Sequence, residues 1–233
     1  MKVDIWSDVV CPWCYIGKRR FEAALARFSH RDDVKLRWHS FQLDPGTPAH
    51  PEDGYAARLA AKYGSTPEQA QGMLDDMTAA AATEGLDFHF EKAAAGGTFD
   101  AHRLLHLAAD RGVQDALKER LLRAVFTQGE ATSDHEVLVR LGVEAGLDAD
   151  EARAALASGT YAAEVRGDQE QARRFGINGV PFFVVDGTYG VSGAQPADLL
   201  LEVLDKAWSV AHPLTMVTSG GSGPSCDGDS CPV

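Results

Sequence analysis

No apolar run in this sequence approaches the ~20 residues that a membrane-spanning helix needs. The opening residues, Met1-Lys2-Val3-Asp4-Ile5-Trp6-Ser7-Asp8, lack both a long apolar core and a small-residue cleavage site. They read as a strand, and the expected location is the cytoplasm. Basic residues are few, 22 against 34 acidic, for a net charge of −12. That balance argues against nucleic acid and anionic membrane as partners. Cysteine is scarce: four in 233 residues, as two close pairs, Cys11/Cys14 and Cys226/Cys231. In a reducing compartment such pairs point to redox chemistry or metal rather than structural stapling. Apolar residues are not scarce. At 45% hydrophobic and 24% charged, a chain of this length can bury a core unaided.

Three zones follow along the chain. In residues 2–45, alternating Val3 and Ile5 predict a strand that runs into a turn at Val10-Cys11-Pro12. Trp13, Ile16, Phe21, Ala24, Leu25 and Phe28 then recur at helical spacing over 12–28. Val34 to Gln42 alternates as a second strand, completing a βαβ unit. Residues 46–165 read as a helical insertion. Helix starts are predicted at Thr66-Pro67-Glu68-Gln69, Ser133-Asp134-His135-Glu136 and Asp148-Ala149-Asp150-Glu151, each a cap followed by Glu or Gln. Gly64, Gly112, Gly129 and Gly146 stand where helices should stop. In 166–211 the β pattern returns after a helix over 161–175. Pro181 to Val185 is an apolar strand, Asp186-Gly187 is a two-residue hairpin signal, and Pro196 opens a last helix through Trp208. Residues 212–233 are rich in Gly, Ser, Asp and Pro and read as a flexible tail.

Cys11-Pro12-Trp13-Cys14 carries the strongest chemical signal. A cysteine at a helix N-terminus faces unpaired N–H groups and the positive end of the macrodipole. Both favour a thiolate, so Cys11 is expected to be an exposed nucleophile with a depressed pKa. Pro12 suits the first helical position. Cys14, on the same helix face, can attack a mixed disulfide at Cys11 and release the substrate. Lys18, Arg19 and Arg20 lie more than a turn away and should matter little to that thiolate. Asp8 should oppose it. Trp13 should be exposed and available to substrate. A zinc site built from the four cysteines is the competing reading.

The second signal is Gly176-Ile177-Asn178-Gly179-Val180-Pro181-Phe182-Phe183. A proline directly before an apolar strand suits a cis X–Pro bond, which would offer the Val180 backbone to an extended substrate. A trans proline at a strand start is equally compatible with the pattern. His102 and His106, four apart on a helix, have no acidic residue between them as a zincin motif would. They are assigned packing or surface roles, and no metal site is expected. Trp6 and Trp38 are expected in the core.

Taken together, Ser7-Asp8-Val9-Val10-Cys11-Pro12-Trp13-Cys14-Tyr15-Ile16-Gly17, Phe41-Gln42-Leu43-Asp44-Pro45 and Gly176 to Phe183 resemble the DsbA-type thioredoxin superfamily, and within it the cytoplasmic FrnE branch. The likeness spans about residues 2–210. It implies an α/β thioredoxin-like fold, formed by 1–45 with 166–211, carrying a large α-helical insertion at 46–165. It implies thiol–disulfide exchange, as an oxidoreductase or disulfide isomerase, at catalytic Cys11 and Cys14, with no cofactor beyond the redox-active disulfide. It also implies a cis bond before Pro181 and Pro181 close to Cys11, with Trp13, Val180 and Pro181 against the substrate. Implied partners are protein or small-molecule thiols and disulfides, with glutathione or a thioredoxin-type protein as reductant. Glutathione-dependent isomerases and kappa-class transferases resemble the chain too. They typically carry Ser where Cys11 stands, so Cys11 favours redox chemistry.

The resemblance extends to the tail, where Cys226 and Cys231 match a second redox pair found in some members. About 18 residues of flexible chain separate Trp208 from Cys226, a root-mean-square reach of roughly 21–25 Å, enough in principle to approach Cys11. Adventitious thiols in a disordered tail are the other reading of that pair.

Overall fold

The central strand is where the chain begins. Lys2–Ser7 (β1) is buried at every position after Lys2, so its alternating sequence serves two packed faces rather than one. In the computed structural model, which describes residues 1–48, 53–94 and 96–214, β1 leads into helix α1, Pro12–Arg27, as the spacing predicts. A 3-10 turn at Arg31–Asp33 precedes Lys35–Ser40 (β2), which pairs with β1 in parallel, Ile5 opposite Trp38 and Trp6 opposite His39. The other two strands are Phe182–Val185 (β3) and Tyr189–Ser192 (β4). β3 runs antiparallel to β1, with Ile5 opposite Phe183, and β4 antiparallel to β3, giving the sheet order β2-β1-β3-β4. Asp186 and Gly187 make the β3–β4 turn with φ of 51° and 67°, the left-handed pair that an Asp-Gly hairpin requires.

Between β2 and β3 the chain is helical: Tyr55–Tyr63 (α2), Pro67–Thr83 (α3), Phe99–Asp110 (α4), Gln114–Arg123 (α5), His135–Glu144 (α6), Ala149–Ala157 (α7) and Ala162–Arg174 (α8). α5 runs on into a π-helical turn at Ala124–Gln128. Thr66 forms a full capping box with Gln69, and Asp148 caps α7 through the N–H groups of Asp150 and Glu151, both as the sequence predicts. The start of α6 differs by one residue. Asp134, not Ser133, is the cap, accepting from the Val137 N–H at 3.0 Å. A carboxylate there also meets the positive helix end, which a serine hydroxyl does less well. Ala197–Ala211 (α9) closes the described chain.

One face of the sheet is covered by α1 and α9, burying Val3, Ile5, Phe21, Phe28, Phe183 and Leu204 in a single cluster. Each such side chain contributes ~1.5–3 kcal/mol when fully buried. The other face takes α8, through Trp6, Ala172, Ile177 and Val184. The helical insertion has its own core of Leu104, Leu117, Leu121, Leu138 and Leu141. A fourth cluster, Tyr15, Ile16, Leu74, Phe88, Phe90 and Phe126, fixes the first turns of α1 against the insertion. Trp6 and Trp38 are buried, as expected.

α1 also meets the loop before β3 through Gly17. A Cβ at this position would stand 2.8 Å from Pro181 Cγ and 3.5 Å from Ala194 Cβ. Gly17→Ala would gain about 1 kcal/mol of helix propensity but cost about 1–3 kcal/mol in overpacking against a rigid ring. The variant is therefore expected to melt below the parent in a thermal scan. A higher melting temperature would show that the loop yields freely.

Candidate active site

The site forms where β1 ends. Ser7 closes the strand, the chain turns through Asp8, Val9 and Val10, and Cys11 takes the N-cap position of α1 with extended geometry (φ −97°, ψ 113°). Pro12 stands in the first turn, and the Cys14 N–H donates to the Cys11 carbonyl at 3.0 Å. Both cysteines are free thiols. Cys14 is fully buried, and Cys11 shows 4% of its surface. Cys11 is thus the more accessible of the two but is far less exposed than the sequence suggests, because the loop before β3 lies over it. The Val180–Pro181 peptide in that loop is cis, and the Cys11 thiol donates to the Val180 carbonyl at 3.5 Å. Trp13 is 40% exposed beside the pair. Sequence-predicted Cys11, Cys14, Trp13, Val180 and Pro181 therefore lie together. Cys226 and Cys231 fall outside the described residues.

Ionisation of the pair departs from expectation. Two adjacent sulfurs share one negative charge, so the first proton leaves easily and the second with difficulty. Hydrogen bonding to Cys14 pushes the Cys11 thiol well above the ordinary range, with burial, the Cys14 charge and the Asp8 carboxylate acting in the same sense. Burial works against a charge on Cys14 as well. It is outweighed there by the Cys11 thiol as donor, the Lys118 ammonium, the Ser7 hydroxyl and the Asp8 backbone N–H, so Cys14 is lowered. When the pair gives up its first proton the charge settles on the inner sulfur, one proton shift from the outer one. The helix terminus favours a thiolate in the pair, and its other neighbours decide which sulfur carries it.

Those neighbours come from several elements. The Asp8 carboxylate, buried, accepts from the Leu43 N–H at 2.8 Å and from His102 Nε2 at 3.2 Å. Burial alone would raise it, but His102, Leu43 and Lys118 together hold it below the usual carboxylate value. Burial holds His102 below its ordinary value despite Asp8. Tyr55 on α2 donates its hydroxyl to the Val10 carbonyl at 3.3 Å. Lys118 on α5 is fully buried, with its ammonium 5.5 Å from the centre of the Trp38 ring. Lys18 is buried too and is ion-paired with Glu22, Asp115 and Glu119, so it braces α1 against α5.

Behind the site, His39 stacks on Trp6 at 4.4 Å and lies between two carboxylates, 2.6 Å from Asp4 and 2.6 Å from Asp168. Asp168 also accepts from the Ser40 N–H at 2.8 Å and lies 3.1 Å from His106 Nε2. The two histidines read from sequence as packing or surface groups, His102 and His106, are both buried hydrogen-bonding groups. Among the described residues no cluster of three or more His, Cys, Asp or Glu is arranged to hold a metal ion.

Burial lowers the His39 pKa, but its bonds to Asp168 and Asp4 outweigh this, and it is held above the ordinary 6.5. A raised folded-state pKa stabilises fully below the unfolded value, and that stabilisation is lost as pH rises through the folded value. The stability difference between parent and His39→Gln should therefore be largest near pH ~6 and shrink on going alkaline, as read by urea melts. A difference independent of pH would mean that folding leaves the His39 pKa unshifted, and one that grows on going alkaline would mean that His39 is held neutral in the folded protein.

Sequence reasoning missed Lys118, Ser7 and Gly17 as site residues. For Lys118 there was a usable signal. Leu117, Leu121 and Leu122 mark the buried stripe of α5, and position 118 lies four residues before Leu122 on that stripe.

Comparison with known proteins agrees with this geometry. Residues 2–205 match the DSBA-like thioredoxin domain. The chain belongs to the DSBA-like thioredoxin domain family. Within that family setting, a probable DsbA oxidoreductase from Streptomyces coelicolor is 49% identical and superposes with a TM-score of 0.87, covering 96% of this chain and 97% of that one. The uncharacterized protein YwbO of Bacillus subtilis (strain 168) is 26% identical over 199 residues, 84% of this chain and 92% of its own. The cytosolic disulfide reductase DsbM of Pseudomonas aeruginosa shares the fold at 20% identity and a TM-score of 0.61, over 90% of this chain and all of that one. The expected DsbA-like fold, a four-stranded mixed sheet with a helical stretch between β2 and β3, is the one observed.

Proposed function

We propose that this DsbA-like chain is a thiol–disulfide oxidoreductase of the FrnE type, acting through Cys11 and Cys14 on protein or small-molecule disulfides. One observation carries the reading. Cys11 at the start of α1, which keeps 4% of its surface exposed, and the fully buried Cys14 one turn inside lie under the Val180–Pro181 loop, with Cys11 3.5 Å from the Val180 carbonyl. Cys11 attacks the substrate disulfide and Cys14 resolves the mixed disulfide. Trp13 and the Val180–Pro181 backbone form the substrate contact. Glutathione or a thioredoxin-type protein returns the pair to its starting state, in the cytoplasm. Cys226 and Cys231 enter this proposal as a second exchange pair on the strength of sequence alone.

The test is reduction of a model peptide disulfide by glutathione, with and without the protein, and with protein whose thiols have been alkylated. The parent should accelerate exchange at least ~100-fold over the alkylated form, the scale of an activated nucleophile. Equal rates would remove the proposed function.

A further inference from the structure

The surroundings of Cys14 are more elaborate than an inert resolving thiol needs. Lys118 reaches the site from the helical insertion and is fully buried. The two carboxylates on its own helix are turned elsewhere: Asp115 to the Trp38 indole and Lys18, Glu119 to Lys18, Arg19 and the Tyr15 hydroxyl. Among the described residues no carboxylate lies within ion-pair distance of the Lys118 ammonium. The charged and titratable groups that face it are Cys14 and Lys18 on α1, Cys11 and Asp8 in the preceding turn, and His102 on α4. From the other side comes Ser7, the last residue of β1. Its hydroxyl is buried and makes no hydrogen bond to any described residue, yet it lies close enough to Cys14 to favour a charge there. A buried hydroxyl without a partner is costly unless some state of the protein supplies one.

We propose that Lys118 and Ser7 form a preformed anion pocket for the Cys14 sulfur, and that this pocket serves the second half of disulfide exchange. The inference rests on the exchange reading above. In the first half, a Cys11 thiolate attacks a substrate disulfide R–S–S–R. The Cys11–S–R bond forms, and one RS⁻ departs and takes a proton from solvent. Cys11 then has no S–H left to donate to Cys14. Lys118, Ser7 and the Asp8 N–H are the groups that remain to hold Cys14 ionised. Cys14 gives up the pair's remaining proton to solvent, its thiolate attacks the Cys11 sulfur, the Cys11–Cys14 bond forms, and the second RS⁻ leaves and is protonated in turn. Two electrons have passed from the cysteine pair to the substrate. Lys118 and Ser7 are positioning residues, since they act through Cys14 and not on the substrate.

An aromatic disulfide whose released thiolate is coloured reads both halves in one stopped-flow trace. The first release reports attack by Cys11 and the second reports resolution by Cys14. Lys118→Met, measured in the full chain across a pH series, should move the pH midpoint of the second release upward by about one unit. At neutral pH this slows resolution about tenfold, while the first release changes by less. Ser7→Ala, a smaller change, should shift the same midpoint in the same direction and decides the matter by itself if Lys118→Met does not fold. Second-release profiles that match the parent in both variants would overturn the anion pocket and leave the exchange reading intact. So would shifts of equal size in both releases. A parent trace in which the first release is as slow as in Cys11→Ser would instead remove the exchange reading, and the pocket with it.

Discussion

Cys11→Ser should lose disulfide exchange altogether, by ~1,000-fold or more, while Cys14→Ser should accumulate mixed disulfides with substrate or glutathione. The asymmetry follows from position. Cys11 is the less buried of the pair, under the Val180 carbonyl, and Cys14 is enclosed by Ser7, Asp8 and Lys118. The titration of the surviving thiol gives the sharper check. The largest influence raising Cys11 is its bond to Cys14, so removing the Cys14 sulfur should bring the Cys11 pKa down from its value in the pair. Alkylation rate against pH in Cys14→Ser measures this, with trapped adducts read by mass spectrometry. If Cys14→Ser traps nothing and Cys11→Ser still turns over, the roles are reversed.

Asp168→Ala should be among the most destabilising single changes available in the chain. One carboxylate on α8 satisfies the Ser40 N–H on β2, His39 on β2 and His106 on α4, and it holds α8 against the sheet. Burial would raise its pKa, but His106, His39 and the Ser40 N–H drive it well below the ordinary carboxylate range. Removing one partner from a buried charged network costs about 3–5 kcal/mol, a large share of the ~5–15 kcal/mol that holds a typical domain. For a chain of this size that is a fall of roughly 6–20 °C in melting temperature. Asp168→Asn keeps an acceptor for Ser40 and should lose less. A melting temperature within about 2 °C of the parent for the alanine variant would mean that water replaces the carboxylate at little cost.

The sequence was most legible where local chemistry decides the structure. Strand β1, the Cys11-Pro12 helix start, the Thr66 and Asp148 caps and the Asp186-Gly187 turn each follow from a few adjacent residues. The cysteine pair and Val180–Pro181 could be read as separate motifs. Only the resemblance to a known family brought them together, because β1 and β3 pair across almost 180 residues of chain. Partners from distant elements were harder to see. His39 shares a strand face with the exposed Lys35 and Arg37, but α8 covers the end of that face and buries His39 with Asp168. Lys118 looked like one more charge in Gln-Asp-Ala-Leu-Lys-Glu-Arg, and only the position of α5 beneath α1 gives it a role. The order in which the two thiols ionise was misread for the same reason. The helix N-terminus is visible in sequence, whereas the burial and the Lys118, Ser7 and Asp8 contacts that distribute the charge are not.

In the proposed function Cys11 and Cys14 form one reversible two-electron couple. Equilibrating the protein across a series of reduced-to-oxidised glutathione ratios, quenching in acid and mapping the thiols by mass spectrometry tests it directly. Both thiols should disappear together along a single two-electron curve and reappear as a Cys11–Cys14 disulfide. A Cys11 that ends as a stable glutathione adduct while Cys14 stays free at every ratio would contradict it.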